Sequence, residues 1–288
     1  MKGIILAGGE GTRLFPLTKS ISKQLLPIYD KPLIYYPLCT LMLMDIRDIL
    51  IITTPHQKNN FIKLFSDGKD LGLNIVFDTQ QKSSGIAESF IIGEKFIKND
   101  SVALILGDNF FYGIEFKELI NKKLNNLKGG IIFSYTVPDP ENYGVIEFKK
   151  NKIIKISEKP LKPKSNIIST GLYIYDSKVT NFARKIKPSK RDELEITDVN
   201  NIYIKRNELS NIHLKEGSVW LDAGNSESLF QTSQYVKIMQ ERNQILIGSP
   251  ELVALKNRWI SKKKLLKNIK YYKNNQYYLK LYEILTNS

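Results

Sequence analysis

The chain of 288 residues has few of the side chains from which covalent frameworks and nucleophilic sites are built. Cys39 is its only cysteine, so a disulfide within the chain is impossible. Because Cys39 lies within an apolar run, we expect it to be buried rather than reactive. The two histidines, His56 and His213, stand in no arrangement of nucleophile and base. These shortages exclude a disulfide scaffold and argue against catalysis through a covalent enzyme intermediate.

The sequence also has no apolar run long enough to cross a membrane. Its longest charge-free apolar run, from Pro32 to Met44, has thirteen residues, whereas a membrane-spanning helix needs about 20. The first residues enter a strand-like segment at once and show no secretory cleavage pattern. We therefore expect a cytoplasmic protein that does not associate with membranes.

Arginine is scarce, although the chain is strongly basic. Only seven of the 43 basic residues are arginine, so lysine supplies nearly all of the formal net charge of +14. From Lys256 to Ser288 there are nine basic residues against one acid, Glu283, with tyrosines among the lysines. Such a pattern also occurs in nucleic-acid-binding segments, but lysine without clustered arginine is weak evidence for phosphate or base recognition. We favour a lysine-rich helical element that packs on the core or on a neighbouring subunit, and we do not expect nucleic acid as a partner.

The order of strand-like and helix-like segments indicates an α/β fold. In the first 135 residues, apolar runs typical of buried strands (residues 3–6, 49–53, 74–77, 102–106 and 130–135) alternate with segments typical of helices (33–44, 58–65, 86–96 and 116–127). This alternation predicts a mostly parallel sheet with helices on both faces.

The second half of the chain changes character. Short strand candidates at residues 145–148, 153–157 and 171–175 are separated by proline, lysine and asparagine, as in hairpins added to a sheet. Helices are predicted over residues 194–206 and 226–242. Because no low-complexity linker divides the chain, we predict one main domain over residues 1–242, followed by the basic helical element over residues 243–288.

A glycine-rich segment, LAGGEGTRL at residues 6–14, follows the first predicted strand. Its three glycines let the backbone turn sharply and bring N–H groups close to an anion. Arg13 can hold a triphosphate in bidentate fashion, and Lys23 supplies a second cation in the segment SKQLLP at residues 22–27. The spacing matches neither a Walker A loop nor Gly-x-Gly-x-x-Gly. A structural turn is the alternative, but the two cations favour phosphate binding.

Two acidic residues stand where metal ligands are often found. Asp108 follows the predicted strand 102–106 in the sequence GDN, and ligands of α/β sheets bind beyond the carboxyl ends of strands. Asp222 precedes a predicted helix in WLDAG. The alternatives are a turn for Asp108 and a helix cap for Asp222. Two carboxylates and phosphate oxygens are the ligands that Mg²⁺ requires, so both residues are candidate ligands.

Two further segments, EKP at residues 158–160 and TGLY at 170–173, carry weaker signals. Lys159 could neutralise a sugar phosphate and Glu158 could accept hydrogen bonds from sugar hydroxyls, or each could be a surface turn residue. The candidate site residues are therefore glycines, cations and carboxylates. This set favours phosphoryl or nucleotidyl transfer by positioning and charge neutralisation.

With these motifs, the chain resembles the glucose-1-phosphate thymidylyltransferase family of sugar nucleotidyltransferases from Gly3 to about Trp259. The resemblance rests on GGEGTRL, SKQLLPIYDKPLIYYPL, LGDN, DPENYGV, EKPLKPKSN, ELEITDVN and WLDAG. The first of these also occurs in sister enzymes that use other nucleotides. The second, together with ELEITDVN at residues 193–200, is typical of the thymidylyl branch.

The resemblance implies a three-layer α/β/α Rossmann-like core with a mixed, mainly parallel sheet, usually assembled as a homotetramer. It implies Mg²⁺-dependent in-line attack of glucose 1-phosphate on the α-phosphorus of dTTP, which forms dTDP-glucose and pyrophosphate. The product would enter dTDP-rhamnose or related polysaccharide biosynthesis. Two alternatives stay open: a sister enzyme that uses UTP or another sugar 1-phosphate, and a non-catalytic sensor of nucleotide sugars.

The resemblance also implies roles for individual residues. The catalytic set is Arg13, Lys23, Asp108, Lys159 and Asp222. The nucleotide-binding set is Leu6, Gly8, Gly9, Gly11, Thr12, Arg13, Gln24, Gln80, Gly85 and Asp108, in which Gln80 and Gly85 contact the base. The sugar-phosphate set is Asn109, Tyr143, Gly144, Glu158, Lys159, Thr170 and Gly171. Asp108 and Asp222 are the implied Mg²⁺ ligands.

The sequence departs from the family pattern in three segments. Glu10 stands where serine is common, which brings a negative charge beside the triphosphate loop. The segment GIAE at residues 85–88 replaces GLAQ, and Ala223 and Asn225 replace hydroxyl-bearing or histidine residues after the metal aspartate. These departures, and the basic C-terminal charge, leave base and sugar selectivity and feedback inhibition open at the level of sequence.

Overall fold

The computed structural model describes residues 1–116, 118–119, 127–150, 152–272 and 274–287. Within these ranges the strands are β1 (Lys2–Ala7), β2 (Pro27–Ile28), β3 (Lys31–Pro32), β4 (Asp48–Thr53), β5 (Asn74–Thr79), β6 (Val102–Leu106), β7 (Asn109–Tyr112), β8 (Gly130–Thr136), β9 (Gly144–Lys149), β10 (Lys152–Glu158), β11 (Ile167–Tyr175), β12 (Leu209–His213) and β13 (Val219–Asp222). The helices are α1 (Tyr35–Leu43), α2 (Lys58–Phe65), α3 (Glu88–Ile92), α4 (Glu94–Ile97), α5 (Val179–Ala183), α6 (Ile196–Lys205), α7 (Ser226–Asn243), α8 (Pro250–Lys256), α9 (Lys262–Ile269) and α10 (Gln276–Asn287).

The parallel half of the large sheet contains strands β6, β1, β4 and β5, side by side in that order. Successive side chains of a strand point to opposite faces. Ile4 of β1 accordingly packs in one apolar cluster with Phe90 of α3, and Ile5 packs in another with Leu38 of α1. Helices therefore cover both faces, and the predicted three-layer α/β/α fold with a mixed sheet is confirmed.

Strand β11 joins the parallel half of the sheet to an antiparallel half. Its residues Leu172 to Tyr175 pair with β6, whereas Ile168 and Ser169 pair with β9 on the same edge. Strand β8 runs along the other edge of β11, and β12 adds to β8 in parallel. Because β6 and β9 share one edge of β11, they separate at Thr170 and Gly171, and a cleft opens there.

One helix prediction differs from the structure in an informative way. The helix predicted over residues 86–96 is two short helices, α3 and α4, which meet at Gly93. A Cβ at Gly93 would lie 3.1 Å from Cδ1 of Ile4, so the glycine lets this segment approach β1 closely. The helix predicted over residues 116–127 falls largely outside the described residues.

The C-terminal helix α8 packs against α1, the first helix of the core, and α9 and α10 share the same apolar cluster. Their residues Ala254, Leu265 and Leu281 are buried in the same apolar cluster as Leu38 of α1. The lysines Lys262 to Lys264 at the start of α9 are exposed. The domain boundary at residue 243 stays a prediction. None of the described helices combines the length and apolar character required to cross a bilayer.

Candidate active site

A cleft of about 420 Å³ lies beyond the carboxyl ends of β1 and β6, where ligands of α/β sheets usually bind. It brings together most of the residues that the sequence predicts for the site. Those in its wall are Leu6, Gly9, Arg13, Lys23, Gln24, Asp108, Asn109, Tyr143, Gly144, Glu158, Lys159, Thr170, Gly171 and Asp222. These residues come from segments spread over most of the chain, so the fold assembles the cleft.

Five predicted residues lie outside the wall of this cleft: Gly8, Gly11, Thr12, Gln80 and Gly85. Gly11 begins the short 3-10 turn Thr12–Leu14 with a left-handed backbone (φ 66°). Its carbonyl accepts a 2.7 Å hydrogen bond from the Thr18 hydroxyl, so Gly11 shapes the loop that presents Arg13. The contacts that the sequence predicts between these five residues and the nucleotide stay predictions.

Lys23 and Asp108 form the most buried ion pair of the cleft. Their side chains are 12% and 9% exposed, and the Lys23 ammonium donates a hydrogen bond to Oδ2 of Asp108. Burial raises the pKa of Asp108, but the positive charge and the hydrogen bond of Lys23 outweigh burial and hold this pKa below its ordinary value. Asp108 is therefore ionised at neutral pH.

Pairing between β7 and β13 brings the second carboxylate to the first. Asp222 stands opposite Asn109 in this ladder, and the next residue, Ala223, donates its N–H to the Asp108 carbonyl at 3.0 Å. A Cβ built on Gly224 would lie 2.8 Å from Nη2 of Arg13 and 3.2 Å from Oδ2 of Asp222. The absence of a side chain at this position therefore lets the guanidinium of Arg13 approach Asp222.

Asp222 has a perturbed pKa. Burial and then the negative charge of Asp108 raise the pKa of Asp222 to about 7, although Lys23, Arg13 and Lys159 act in the opposite direction. Asp108 is buried and Asp222 is half-buried, and the repulsion between two neighbouring carboxylates makes the pair a suitable site for a divalent cation. Within the described residues, no group of three or more histidine, cysteine or acidic side chains is placed to hold a metal ion. The two carboxylates of Asp108 and Asp222 suit Mg²⁺, which takes its remaining ligands from substrate phosphates and water.

The opposite end of the cleft carries Glu158 and Lys159. Burial raises the pKa of Glu158 above its ordinary value, although a hydrogen bond from the Thr197 hydroxyl acts in the opposite direction. Lys159 has a left-handed backbone (φ 40°), which is uncommon for a residue with a side chain, and it donates its N–H to the Tyr143 carbonyl at 3.0 Å. This backbone hydrogen bond ties Lys159 to the turn that precedes β9.

The side chain of Asn109 forms hydrogen bonds to three neighbouring segments of the cleft. Its Oδ1 accepts hydrogen bonds from the Gly171 N–H at 3.0 Å and from the Trp220 indole at 2.7 Å, and its Nδ2 lies 3.3 Å from Asp108. The side chain thereby connects β7, β11 and β13. Its predicted contact with the sugar phosphate stays a prediction.

Several cleft residues were not predicted as site residues. Trp220 and Ile86 line the cleft, as do Glu193, Ile196, Thr197 and Asn200 of the segment ELEITDVN. This segment served only as a family marker at the level of sequence. The signal that could have identified it is the series of polar residues on one side of the helix that begins at Ile196. Glu10, which stands where the family commonly has serine, is exposed and lies outside the cleft wall.

The segment ELEITDVN also holds the loop at Gly85 in place. Leu194 donates its N–H to the Ser84 carbonyl at 2.6 Å and accepts a 3.1 Å hydrogen bond from the Ala87 N–H. Gly85 has φ 102°, and any Cβ there would overlap the backbone of Leu194. Only glycine therefore suits this position, and the loop directs the next side chain, Ile86, into the cleft.

The chain is similar in sequence to known nucleotidyl transferases. Residues 2–238 match the family model described as nucleotidyl transferase. A glucose-1-phosphate thymidylyltransferase from Neisseria meningitidis is 47% identical over 278 residues, which are 96% of this chain and 96% of that protein. A protein of the same name from Mycobacterium tuberculosis is 47% identical over 92% of each chain.

Two solved structures share the fold. The first is a Bacillus anthracis protein, provisionally named glucose-1-phosphate thymidylyltransferase and solved with sucrose. It superposes with a TM-score of 0.77 at 40% identity, over 82% of this chain and 94% of that one. The second is a UDP-glucose pyrophosphorylase with UDP-glucose, which superposes with a TM-score of 0.73 at 26% identity, over 83% and 98% of the two chains.

Proposed function

The chain belongs to the nucleotidyl transferase family, and we propose that it transfers the thymidylyl group of dTTP to glucose 1-phosphate, forming dTDP-glucose and pyrophosphate. The relatives that carry the name of this activity are about 47% identical over more than nine-tenths of the chain. The observation in the structure that carries the proposal is the pair of carboxylates, buried Asp108 and half-buried Asp222, set among three cations in one cleft.

The charges of the cleft suit the meeting of two anionic substrates. The sugar-phosphate oxygen attacks the α-phosphorus, the bond to the β-phosphate oxygen breaks, and pyrophosphate leaves. Arg13 and Lys23 neutralise the triphosphate at the glycine-rich end, and Lys159 neutralises the sugar phosphate at the other end. In a partly buried site, fixed positive charge stabilises the charge that develops in the transition state and holds the reactants in line. A nucleophilic side chain is not required.

We assign Asp108 and Asp222 as the residues that hold Mg²⁺. Bound Mg²⁺ supplies positive charge to the phosphate oxygens and helps to align them. Lys23 keeps Asp108 ionised before substrate binds, so one carboxylate is ready to act as a ligand. Asp222 releases its proton when a cation approaches, because the added positive charge lowers a pKa that stands at about 7 in the free protein.

The sugar and the base contact opposite sides of the cleft in this proposal. Glu158 accepts hydrogen bonds from sugar hydroxyls, since it is held by Thr197 at the end of the cleft that also contains Tyr143. The base lies near Gln80 and the loop at Gly85, because Gln80 packs against Gly8 of the glycine-rich segment. We also expect a homotetramer located in the cytoplasm.

The UDP-glucose pyrophosphorylase structure supports a second candidate, in which UTP is the preferred nucleotide. The test is pyrophosphate release from dTTP, UTP, dCTP and dATP with glucose 1-phosphate, with and without Mg²⁺. We expect release mainly with dTTP, and loss of release without Mg²⁺ and in the variant Asp108→Asn. The matched control is Asp70→Asn, since Asp70 lies on the surface with an 86% exposed side chain. Preference for UTP would support the second candidate, and no release with any nucleotide or sugar 1-phosphate would contradict both.

A further inference from the structure

A second pocket, on the surface of the protein, has a strongly basic wall. Helix α5 and the residues that flank it form this pocket together with Arg206, which follows α6, and its volume is about 420 Å³. The described residues in its wall are Lys178, Asn181, Phe182, Arg184, Lys185 and Arg206. Among these described residues four are cations and none carries a carboxylate. Of the residues that the structure describes, none lines both this pocket and the active-site cleft.

The two arginines distinguish this pocket from the rest of the basic surface. Only seven of the 43 basic residues of the chain are arginine, yet Arg184 and Arg206 line the same pocket. Arginine presents a planar fork of N–H groups that matches the oxygens of a phosphate group, whereas lysine acts as a point charge. A cation at a helix C-terminus offsets the helix dipole, but this accounts for one cation at each helix and not for four in one wall.

The guanidinium group of Arg206 is held in a fixed orientation. Its Nε and Nη2 donate hydrogen bonds to the two carboxylate oxygens of Glu208 at 2.9 and 3.3 Å. Its Cζ lies 5.6 Å from the centre of the Phe182 ring, which is itself buried against the ring of Tyr203. Glu208 uses two of the five N–H groups of the arginine, so three have no partner within the described part of the chain. A side chain that is fixed before binding loses less entropy when it holds an anion.

The other cations of the wall also retain donors for an anion. Arg184 donates a hydrogen bond to Glu94, and Lys178 lies 3.5 Å from Oδ2 of Asp176. The side chains of Arg184 and Lys178 are exposed, and ion pairs of exposed cations are weak. Lys185 is exposed and has no ion-pair partner among the described residues. The wall can therefore offer its positive charge to a more highly charged anion.

We propose that this pocket binds the phosphate group of a small anion, at a site separate from the cleft. A phosphate group carries close to two negative charges and three acceptor oxygens, so it can accept hydrogen bonds from several cations of the wall. A carboxylate carries one charge and two oxygens. The pocket should therefore bind phosphate more tightly than carboxylate. The phosphate can belong to an inorganic anion or to a phosphorylated organic molecule, and these two sources require separate probes.

The test is isothermal titration calorimetry of the metal-free, full-length protein at constant ionic strength. The probes are inorganic pyrophosphate and glycerol 3-phosphate. In the double variant Arg184→Gln/Arg206→Gln the Kd of the pocket should rise at least about tenfold, because charge-assisted hydrogen bonds are lost. The variant Arg13→Gln, which removes a cation of the cleft, should leave this binding unchanged. The matched control is Arg242→Gln, which removes an exposed arginine at the end of α7 and should bind as the wild type does.

A single variant keeps the test decisive if the double variant does not fold. Lys185→Gln breaks no ion pair of the described residues, and it should raise the Kd at least about threefold. Binding of either probe supports the proposal, and the tighter probe shows whether the phosphate is inorganic or organic. Equal Kd values in the wild type and in the pocket variants, or loss of all binding in Arg13→Gln, would overturn it. Succinate bound as tightly as pyrophosphate would also overturn it, because the site would then not select phosphate.

Discussion

Replacing Lys23 by methionine tests the charge balance of the cleft. The side chains of Lys23 and Asp108 are 12% and 9% exposed, and the ammonium group is hydrogen-bonded to the carboxylate. Methionine keeps the unbranched shape of lysine but carries no charge. The substitution therefore leaves the Asp108 carboxylate buried without the cation that it contacts.

The expected cost follows from the burial of the pair. Removing one partner of a buried ion pair destabilises a protein by about 3–5 kcal/mol, because the remaining charge stays buried without compensation. The double variant Lys23→Met/Asp108→Asn has no such charge at this point. It should recover most of the lost free energy of unfolding, since replacing both partners of a buried pair is often nearly neutral.

The assay is urea unfolding of the metal-free protein at pH 7, followed by tryptophan fluorescence. The control is Lys69→Met, because the Lys69–Asp67 pair at 2.6 Å has side chains 81% and 50% exposed and should contribute nothing measurable. The reasoning is refuted if Lys23→Met loses less than about 1 kcal/mol, a loss typical of an ordinary substitution. It is also refuted if the double variant is as unstable as the single one.

Three further predictions concern the cleft and the loop at Gly85. Gly85→Ala should lower the free energy of unfolding by at least about 1–3 kcal/mol in urea titration, because φ is 102° and a Cβ would overlap Leu194; wild-type stability would contradict this. Glu158→Gln should raise the KM for glucose 1-phosphate about tenfold and leave the KM for dTTP unchanged in initial-rate kinetics; a rise in both would exclude a role confined to the sugar. The pKa of Asp222 is about 7 in the folded protein and near 3.8 in the unfolded chain. Between these values the folded protein binds a proton that the unfolded chain releases. The free energy of unfolding should therefore fall as pH rises from about 4 to about 7. Thermal unfolding of metal-free Asp222→Asn should lack this part of the pH dependence, and a slope identical to that of the wild type would show that Asp222 does not titrate in this range.

Two segments with strong local patterns were predicted with their full extent. The helix over residues 58–65 and the strand over residues 102–106 have the predicted bounds. The strand is a continuous run of apolar residues that suits burial on both faces of a sheet. Strand β12 was not predicted, because Leu209–His213 has no apolar run and is stabilised by its pairing with β8.

The sequence by itself determined the alternation of strands and helices, the glycine-rich loop and the chemical types of the site residues. These properties depend on local patterns, namely apolar periodicity, glycine at turns and charge beside strand ends. Through its motifs, the sequence also identified the family.

Only the tertiary structure decided how the charges act on one another. Asp108, which directly precedes β7, and Asp222 of β13 are far apart in the chain, and the pairing of β7 with β13 brings them together. The raised pKa of Asp222 depends on burial and on this proximity, which no local pattern encodes.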